Sequence, residues 1–313
     1  MLKENPKIMK ILTYRDLESK DGLLPLMDNA FRWPFNSRWF DDFIKIDPRL
    51  KNSPVGFCAL ENGAVVGFVG VFDLATRTLN GDVEFVGGIY GVATLPSHVR
   101  RGISKTLMEK AHAHFKEKGY RFSFLTTSRT IIAHAFYEKL GYFDLFDSPS
   151  AYKILEAKKK KPSVKGEKAK LDFDKILQIY NAYVEGKTGF VVRDKAHLRM
   201  LKKAESLSPN QCIINDEGYV FFRREKGGIC VRELVALNAQ QTNRLIGLVE
   251  DKAKDMVYER TVLDKTMLQV YKSRGYIIQN KSHWVMMIKP LTQNASFKQI
   301  YGEKFFFTGL DAF

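Results

Sequence analysis

The sequence predicts a mixed α/β protein built as two tandem lobes of one plan, and three observations point to it. Segments with strand character outnumber helical ones and alternate with them along the chain. Two short patterns recur in the same order in each half: ENGAVVGF at 61–68 is matched by DEGYVFFR at 216–223, and FYEKLGYF at 136–143 by VYKSRGYI at 270–277. Between the halves lies KKKKPSVKGEKAK, residues 158–170, with seven lysines against one glutamate and no apolar period, which reads as a solvated linker. The resulting divisions are a first lobe at 1–156, a linker at 157–170, a second lobe at 171–290 and a tail at 291–313.

Taken in order, a helix is predicted at 23–31, where Pro25 falls in the first turn and forfeits only an N–H that a helix start leaves unpaired. Strands follow at 56–60 and 64–72, then a longer one at 83–94. Ile103, Leu107, Ala111 and Phe115 recur every four residues, so 103–118 is a helix with one apolar face, ended by Gly119. A strand at 121–127 and a helix at 131–140, closed by Gly141, complete the lobe.

With 313 residues and 45% hydrophobic content, the chain has material for a large core. No apolar run approaches the roughly 20 residues of a membrane span, and the start MLKENPKIMKIL lacks the long apolar stretch of a signal peptide, so a cytoplasmic location without a membrane partner is expected. Cys58, Cys212 and Cys230 are far apart with no CxxC pair, which disfavours a disulfide framework and a thiolate metal site. The six histidines have no ligand spacing, and no metal is expected; His112 and His114 are read as flanking a solvated helix face. Of the net charge of +15, six units (seven lysines less one glutamate) sit in the linker, and no interleaved aromatic and basic motif accompanies them. Nucleic-acid binding is therefore disfavoured.

The stretch that carries chemistry is GVATLPSHVRRGISKTLM, residues 91–108. Pro96 stops a strand, Gly102 lets backbone pass close to another group, and residues 100–105 lie where first-turn amides of a helix have no internal partner. Such amides, with Arg100, Arg101 and Lys105 as counter-charge, suit a phosphate or pyrophosphate; the bland alternative is a strand-to-helix turn with solvated basic residues.

This segment, with AHAFYEKLGYF at 133–143, resembles the GNAT superfamily of N-acetyltransferases, and GGIYGVATLPSHVRRG at 87–102 is similar to its tandem-GNAT, enhanced intracellular survival (Eis) branch. The resemblance implies two GNAT-like lobes, each a mixed, mostly antiparallel sheet flanked by helices. It also implies acetyl-CoA as co-substrate, in a loop that here reads V-R-R-G-I-S at 99–104. Val99 stands where the family's pattern has Gln or Arg, which removes a polar contact and leaves the backbone cradle. Cofactor contacts are then expected from Val92, Ala93, Thr94, Arg100, Arg101, Gly102, Ile103, Ser104 and Lys105. In the second half VALNAQQTNRL at 235–245 has no glycine and no arginine pair, and Val235 to Tyr271 spans 36 residues against 45 from Val92 to Tyr137. One cofactor site is therefore expected, with the second lobe walling the cleft and Tyr271 a packing residue.

For the reaction, the resemblance implies Tyr137 as general acid beside the sulfur, and the Phe313 carboxylate, at the end of KFFFTGLDAF, as the group taking the amine proton. Tyr137 read without the motif is a helix tyrosine packing on the sheet, and the tail a hydrophobic plug between lobes. Asp41 and Asp42 in WFDDF, read as a loop, and Glu84 on the long strand are the acidic candidates for drawing in a cationic acceptor; each is otherwise a surface carboxylate. The acceptor is expected to be a primary amine on a small polyamine, an aminoglycoside-like molecule or a lysine side chain, and a homo-oligomer is left open. The rival readings are a non-catalytic CoA-binding regulator and a basic nucleic-acid adaptor.

Overall fold

The computed structural model describes residues 9–156 and 171–311, so the lysine-rich linker and Phe313 lie outside the described residues. Before the linker the chain forms β1 (Lys10–Thr13), α1 (Leu23–Phe31), α2 (Ser37–Ile46), β2 (Gly56–Glu61), β3 (Ala64–Arg77), β4 (Val83–Thr94), α3 (Ile103–Glu117), β5 (Phe122–Ser128), α4 (Ile132–Lys139), β6 (Phe143–Asp144) and β7 (Ser150–Ile154). After it come α5 (Phe173–Tyr183), β8 (Thr188–Gly189), α6 (Lys195–Ala204), β9 (Cys212–Ile214), β10 (Gly218–Glu225) and β11 (Gly228–Ala236). The chain continues through α7 (Ala239–Lys252), β12 (Met256–Glu259), α8 (Lys265–Ser273), β13 (Ile277–Gln279), β14 (Trp284–Pro290), α9 (Phe297–Tyr301) and β15 (Phe305–Phe306).

Two sheets result, each mostly antiparallel as expected. One runs β1-β2-β3-β4-β5-β14-β6, with β8 against β3 and β15 against β8; the other runs β13-β7-β12-β11-β10-β9. Parallel pairing occurs at β4/β5, β11/β12 and β15/β8. The internal repeat is real in three dimensions: β2, β3, β4, α3, β5, α4 and β6 have counterparts in β9, β10, β11, α7, β12, α8 and β13. The ENG turn of the first lobe holds Asn62 and Gly63 at φ 52° and 81° between the paired residues Glu61 and Ala64, which is the two-residue hairpin connection that favours Asn-Gly.

The sheets do not divide at the linker. β7, which precedes it, inserts between β12 and β13 of the second sheet, and β14, near the end of the second half, inserts between β5 and β6 of the first. The chain has thus already entered the other sheet before residue 156.

Helix α3 lays its predicted face on the first sheet, with Ile103, Leu107, Ala111 and Phe115 buried. Close approach needs glycine beneath it: a Cβ at Gly67 would sit 2.6 Å from Ile103 Cγ2, and one at Gly87 2.3 Å from the Phe115 ring. His112 is buried rather than on a wet face, because the segment after α4 covers it; its Nε2 lies 2.8 Å from the Tyr142 hydroxyl, and burial depresses its pKa to about 3. The WFDDF segment is helix α2, not a loop: the Asn36 side chain accepts the Trp39 N–H, and Phe40, Phe43 and Ile44 bury one face.

The tail is built into both lobes. Phe305 stacks on Phe124 of β5 and meets Phe190 edge-on, with centroids 6.0 and 5.5 Å apart. Beyond it, Arg193 donates to Glu233 of β11 at 2.8 Å and to Asp311 at 3.0 Å, and Thr308 donates to Glu233 at 2.7 Å, all of them buried. Removing one partner of such a group strands the others' charge, at a cost of about 3–5 kcal/mol.

The exchanged strands yield a test. With a protease site inserted in 157–170 and cut under native conditions, the two fragments should co-elute on size exclusion and separate only in denaturant.

Candidate active site

β4 pairs with β5 only through Gly87, Gly88 and Ile89, although both strands continue, β4 to Thr94 and β5 to Ser128. On its other side β4 carries a bulge: pairing with β3 shifts between Phe68↔Ala93 and Gly70↔Tyr90, and Gly91 sits at φ 59°, in the left-handed region that glycine reaches without strain. The stretch from Tyr90 to Thr94 is therefore backbone without a β5 ladder, and the gap between the strands opens into a cavity. Val92, Ala93 and Thr94, expected at the cofactor, all lie on this stretch.

Below it, a short 3-10 turn at Pro96–His98 leads to Arg100 at φ 63° and Gly102 at φ 81°, and α3 begins without a side-chain cap. The Thr94 and Ser104 hydroxyls lie 2.7 Å apart and tie the end of β4 to the first turn of α3. Arg100 and Lys105 are exposed, while Arg101 makes a two-pronged bond to Glu61 at 2.8 and 3.0 Å, with His98 on the same carboxylate at 2.6 Å. Arg101 holds that carboxyl down to about 2, so its guanidinium braces the loop through Glu61. In the second lobe the equivalent helix mouth is filled: Asn238 caps α7 by accepting the Gln241 N–H at 2.9 Å. An open helix start with cationic neighbours can receive a diphosphate; a self-capped one offers less.

The cavity, about 690 Å3, lies between the lobes. Its floor is Ile89, Tyr90, Gly91 and Val92 of β4, with residues 125–128 of β5 across the gap. Tyr137 of α4 lines it at 8% exposure, and burial pushes its phenol up to about 12. Trp33, Phe35 and Phe40 make an aromatic wall around α1 and α2. The second lobe supplies Met200, Leu201 and Ala204 of α6, and the tail supplies residues 307–310.

Val92 and Tyr137 thus meet in one space, with the residues of the α3 mouth joined to it through Thr94. The acidic candidates do not. Asp41 accepts the Tyr14 hydroxyl at 2.9 Å, Asp42 pairs with Lys45 at 2.8 Å, and Glu84, at the far end of β4, is bound by Arg121 and Tyr301; none lines the cavity. Tyr271 is fully buried and donates to Glu259 at 2.6 Å, a packing role that burial reinforces by raising the Glu259 carboxyl to about 8. Sequence reasoning missed Arg49, Arg223, Arg232 and Arg260 on the cavity wall. The available signal was arginine within otherwise apolar strands, as in GYVFFRRE and VRELVA.

Residues 20–142 match the family model described as the acetyltransferase (GNAT) family. No curated protein matches the chain in sequence. Among solved structures it is similar to a GCN5-related N-acetyltransferase from Kribbella flavida, at 19% identity and TM-score 0.63, over 91% of this chain and 72% of that one. It is also similar to Eis1 from Mycobacterium abscessus (18%, TM-score 0.54, 91% and 74%). A third is a tandem GNAT protein from the clavulanic acid biosynthesis pathway (13%, TM-score 0.51, 92% and 100%). At these identities the likeness is one of fold, and it extends over both lobes. With a bulged β4 that parts from β5, an uncapped α3 and a repeat that spans the linker, the first lobe carries the match to the GNAT family, and the chain as a whole has the two-lobed fold of the Eis-like, tandem-GNAT structures.

Proposed function

We propose that the protein is an N-acetyltransferase that moves an acetyl group from acetyl-CoA to a primary amine held between its lobes. The observation that carries this reading is the meeting of Tyr137 and the β4 stretch that has parted from β5 in one cavity whose far wall is the second lobe. Its volume, about 690 Å3, is in the range of small-molecule sites, which favours a small amine over a protein side chain.

Acetyl-CoA, when bound, supplies a thioester carbonyl carbon as the electrophile. The residues present fit such a group. First-turn amides of α3 from Ile103 to Lys105, with Arg100 and Lys105, are the candidates for the diphosphate, and Arg101 steadies the loop. Gly102 takes part by conformation, since a left-handed φ is what lets the loop enter the helix uncapped. Backbone groups of Val92, Ala93 and Thr94 hold the pantetheine arm and donate to the carbonyl oxygen as it gains negative charge. As the amine nitrogen bonds to carbon and the carbon–sulfur bond breaks, Tyr137 gives its proton to the departing sulfur.

The attacking amine must be neutral. For a lysine-like amine of pKa about 10.4, losing the proton at pH 7 costs roughly 4–5 kcal/mol. The base in this reading is the Phe313 carboxylate, directly or through water. Supporting it is the course of the tail, whose residues 307–310 already line the cavity under the anchor of Arg193 on Asp311. Burial among apolar side chains would raise a terminal carboxyl and make it a better base.

Four outcomes are expected. Gly102→Val should lower acetyl-CoA affinity about tenfold or more by calorimetry and also lower the melting temperature by a few degrees, because the left-handed turn tolerates a β-branched residue poorly. Tyr137→Phe should reduce kcat about a hundredfold while acetyl-CoA affinity holds. Because its raised pKa keeps Tyr137 protonated, wild-type kcat should show no loss near the ordinary tyrosine value of about 10; a fall centred there contradicts the assignment. A short peptide appended after Phe313 should abolish turnover and spare acetyl-CoA binding, and full activity of that protein disposes of the terminal base.

A further inference from the structure

The second-lobe side of the cavity is cationic. Arg223 of β10, Arg232 of β11 and Arg260 just after β12 line it, joined by Arg49 of the first lobe, whereas Glu205 is the one acidic residue lining it among the described residues.

The guanidinium groups are each fixed by a carboxylate. Arg232 grips Glu205 through Nε and Nη2, both at 3.0 Å. Arg223 donates from Nε and Nη2 to the single oxygen Oε1 of Glu225 at 3.1 and 2.7 Å, and Arg260 Nη2 reaches the other oxygen of Glu225 at 3.3 Å. Arg49 holds Asp47 through Nε and Nη2, and its guanidinium lies 4.3 Å from the centre of the Phe72 ring. Four guanidinium groups thus share three carboxylates, Asp47, Glu205 and Glu225. Each fork uses only part of a five-donor group, so a carboxylate at the edge fixes the plane and leaves further N–H donors for a ligand. Such an arrangement is pre-organised, because the side-chain entropy is already spent before a ligand arrives.

A polycationic acceptor meets this wall unfavourably. None of Asp41, Asp42 and Glu84 lines the cavity, and every added positive charge faces arginine in a space largely walled by apolar and aromatic side chains. An acceptor with a negative end has the opposite balance: charge-assisted bonds at one end, ring contacts along its middle, and its amine left for the thioester end beside Tyr137.

We infer that the acceptor is an amine that also carries an oxyanion, a carboxylate or a phosphate, bound by Arg223, Arg232 and Arg260. This rests on the acetyltransferase reading and narrows its substrate class. Both oxyanions present the same acceptor atoms to a guanidinium fork, and the test separates them.

Four matched amines provide that test: benzylamine, 4-(aminomethyl)benzoate, 4-(aminomethyl)phenyl phosphate and the doubly cationic 4-(aminomethyl)benzylamine. Each is titrated calorimetrically into the full-length protein with and without saturating CoA, and assayed for thiol release with acetyl-CoA. At least one anionic amine should bind about tenfold or more tighter than benzylamine, and the diamine more weakly than either. The tighter anion identifies the oxyanion. Arg223→Gln and Arg260→Gln should each shrink the preference, with melting temperature as the folding control. Failure of both anionic amines to bind better than benzylamine, or a diamine that binds as tightly as they do, overturns the inference. Acetyl-CoA uptake is measured separately. Its absence sinks the acetyltransferase reading while the titrations without CoA still report the charge preference, and its presence beside a diamine preference sinks only the substrate class.

Discussion

The ladder between β4 and β5 ends at Ile89, and the bulge at Gly91 keeps the rest of β4 on β3 alone. That interruption makes the cleft: without it the two strands would zip together and bury the backbone of Tyr90 to Thr94 in the sheet. It also positions the helix that follows. The Thr94–Ser104 contact links the end of the strand to the first turn of α3, and so ties the backbone beside the cavity to the uncapped amides at the helix mouth. The second lobe repeats the strand and helix order, but there Asn238 caps the helix itself, and the same topology becomes a wall.

The wall is held in place by means other than a surface contact. β7 and β14 each complete the sheet of the opposite half, so the lobes share backbone hydrogen bonds rather than only side chains. The tail adds an aromatic cluster around Phe305 and the buried ion group of Arg193, Glu233 and Asp311. Buried charge of this kind adds little net stability but tolerates few alternative arrangements. What it specifies here is the path of residues 307–310 along the cavity.

Much of the first lobe was legible because local signals and tertiary demands agree there. The helix at 103–118 and the strand at 83–94 carry unmistakable periods and stops, and the repeated motifs fall on equivalent elements. Asn36, Phe40, Phe43 and Ile44 also form a capped amphipathic pattern, which a reading of WFDDF as a carboxylate loop passed over. The strand exchange was not legible, since 150–154 and 284–290 are short segments with nothing local to say which sheet receives them. Nor was the arginine wall, because Arg223, Arg232 and Arg260 are brought together only by the pairing of β10, β11 and β12, and Arg49 joins them from the first lobe. The lysine-rich segment suggested a division between halves, yet β7 joins the second sheet ahead of it, because composition reports on solvent contact and not on strand partnership.

The exchanged strands also bear on biosynthesis. During translation β5, with the apolar side chains of Phe122, Phe124 and Leu125, emerges long before the β14 segment that will cover its free edge. Through that interval the nascent first half exposes an unsatisfied row of amides and carbonyls, the kind of template that invites association between neighbouring chains. Duplication with swapped strands therefore gives the finished molecule a shared scaffold at the expense of a vulnerable period on the ribosome.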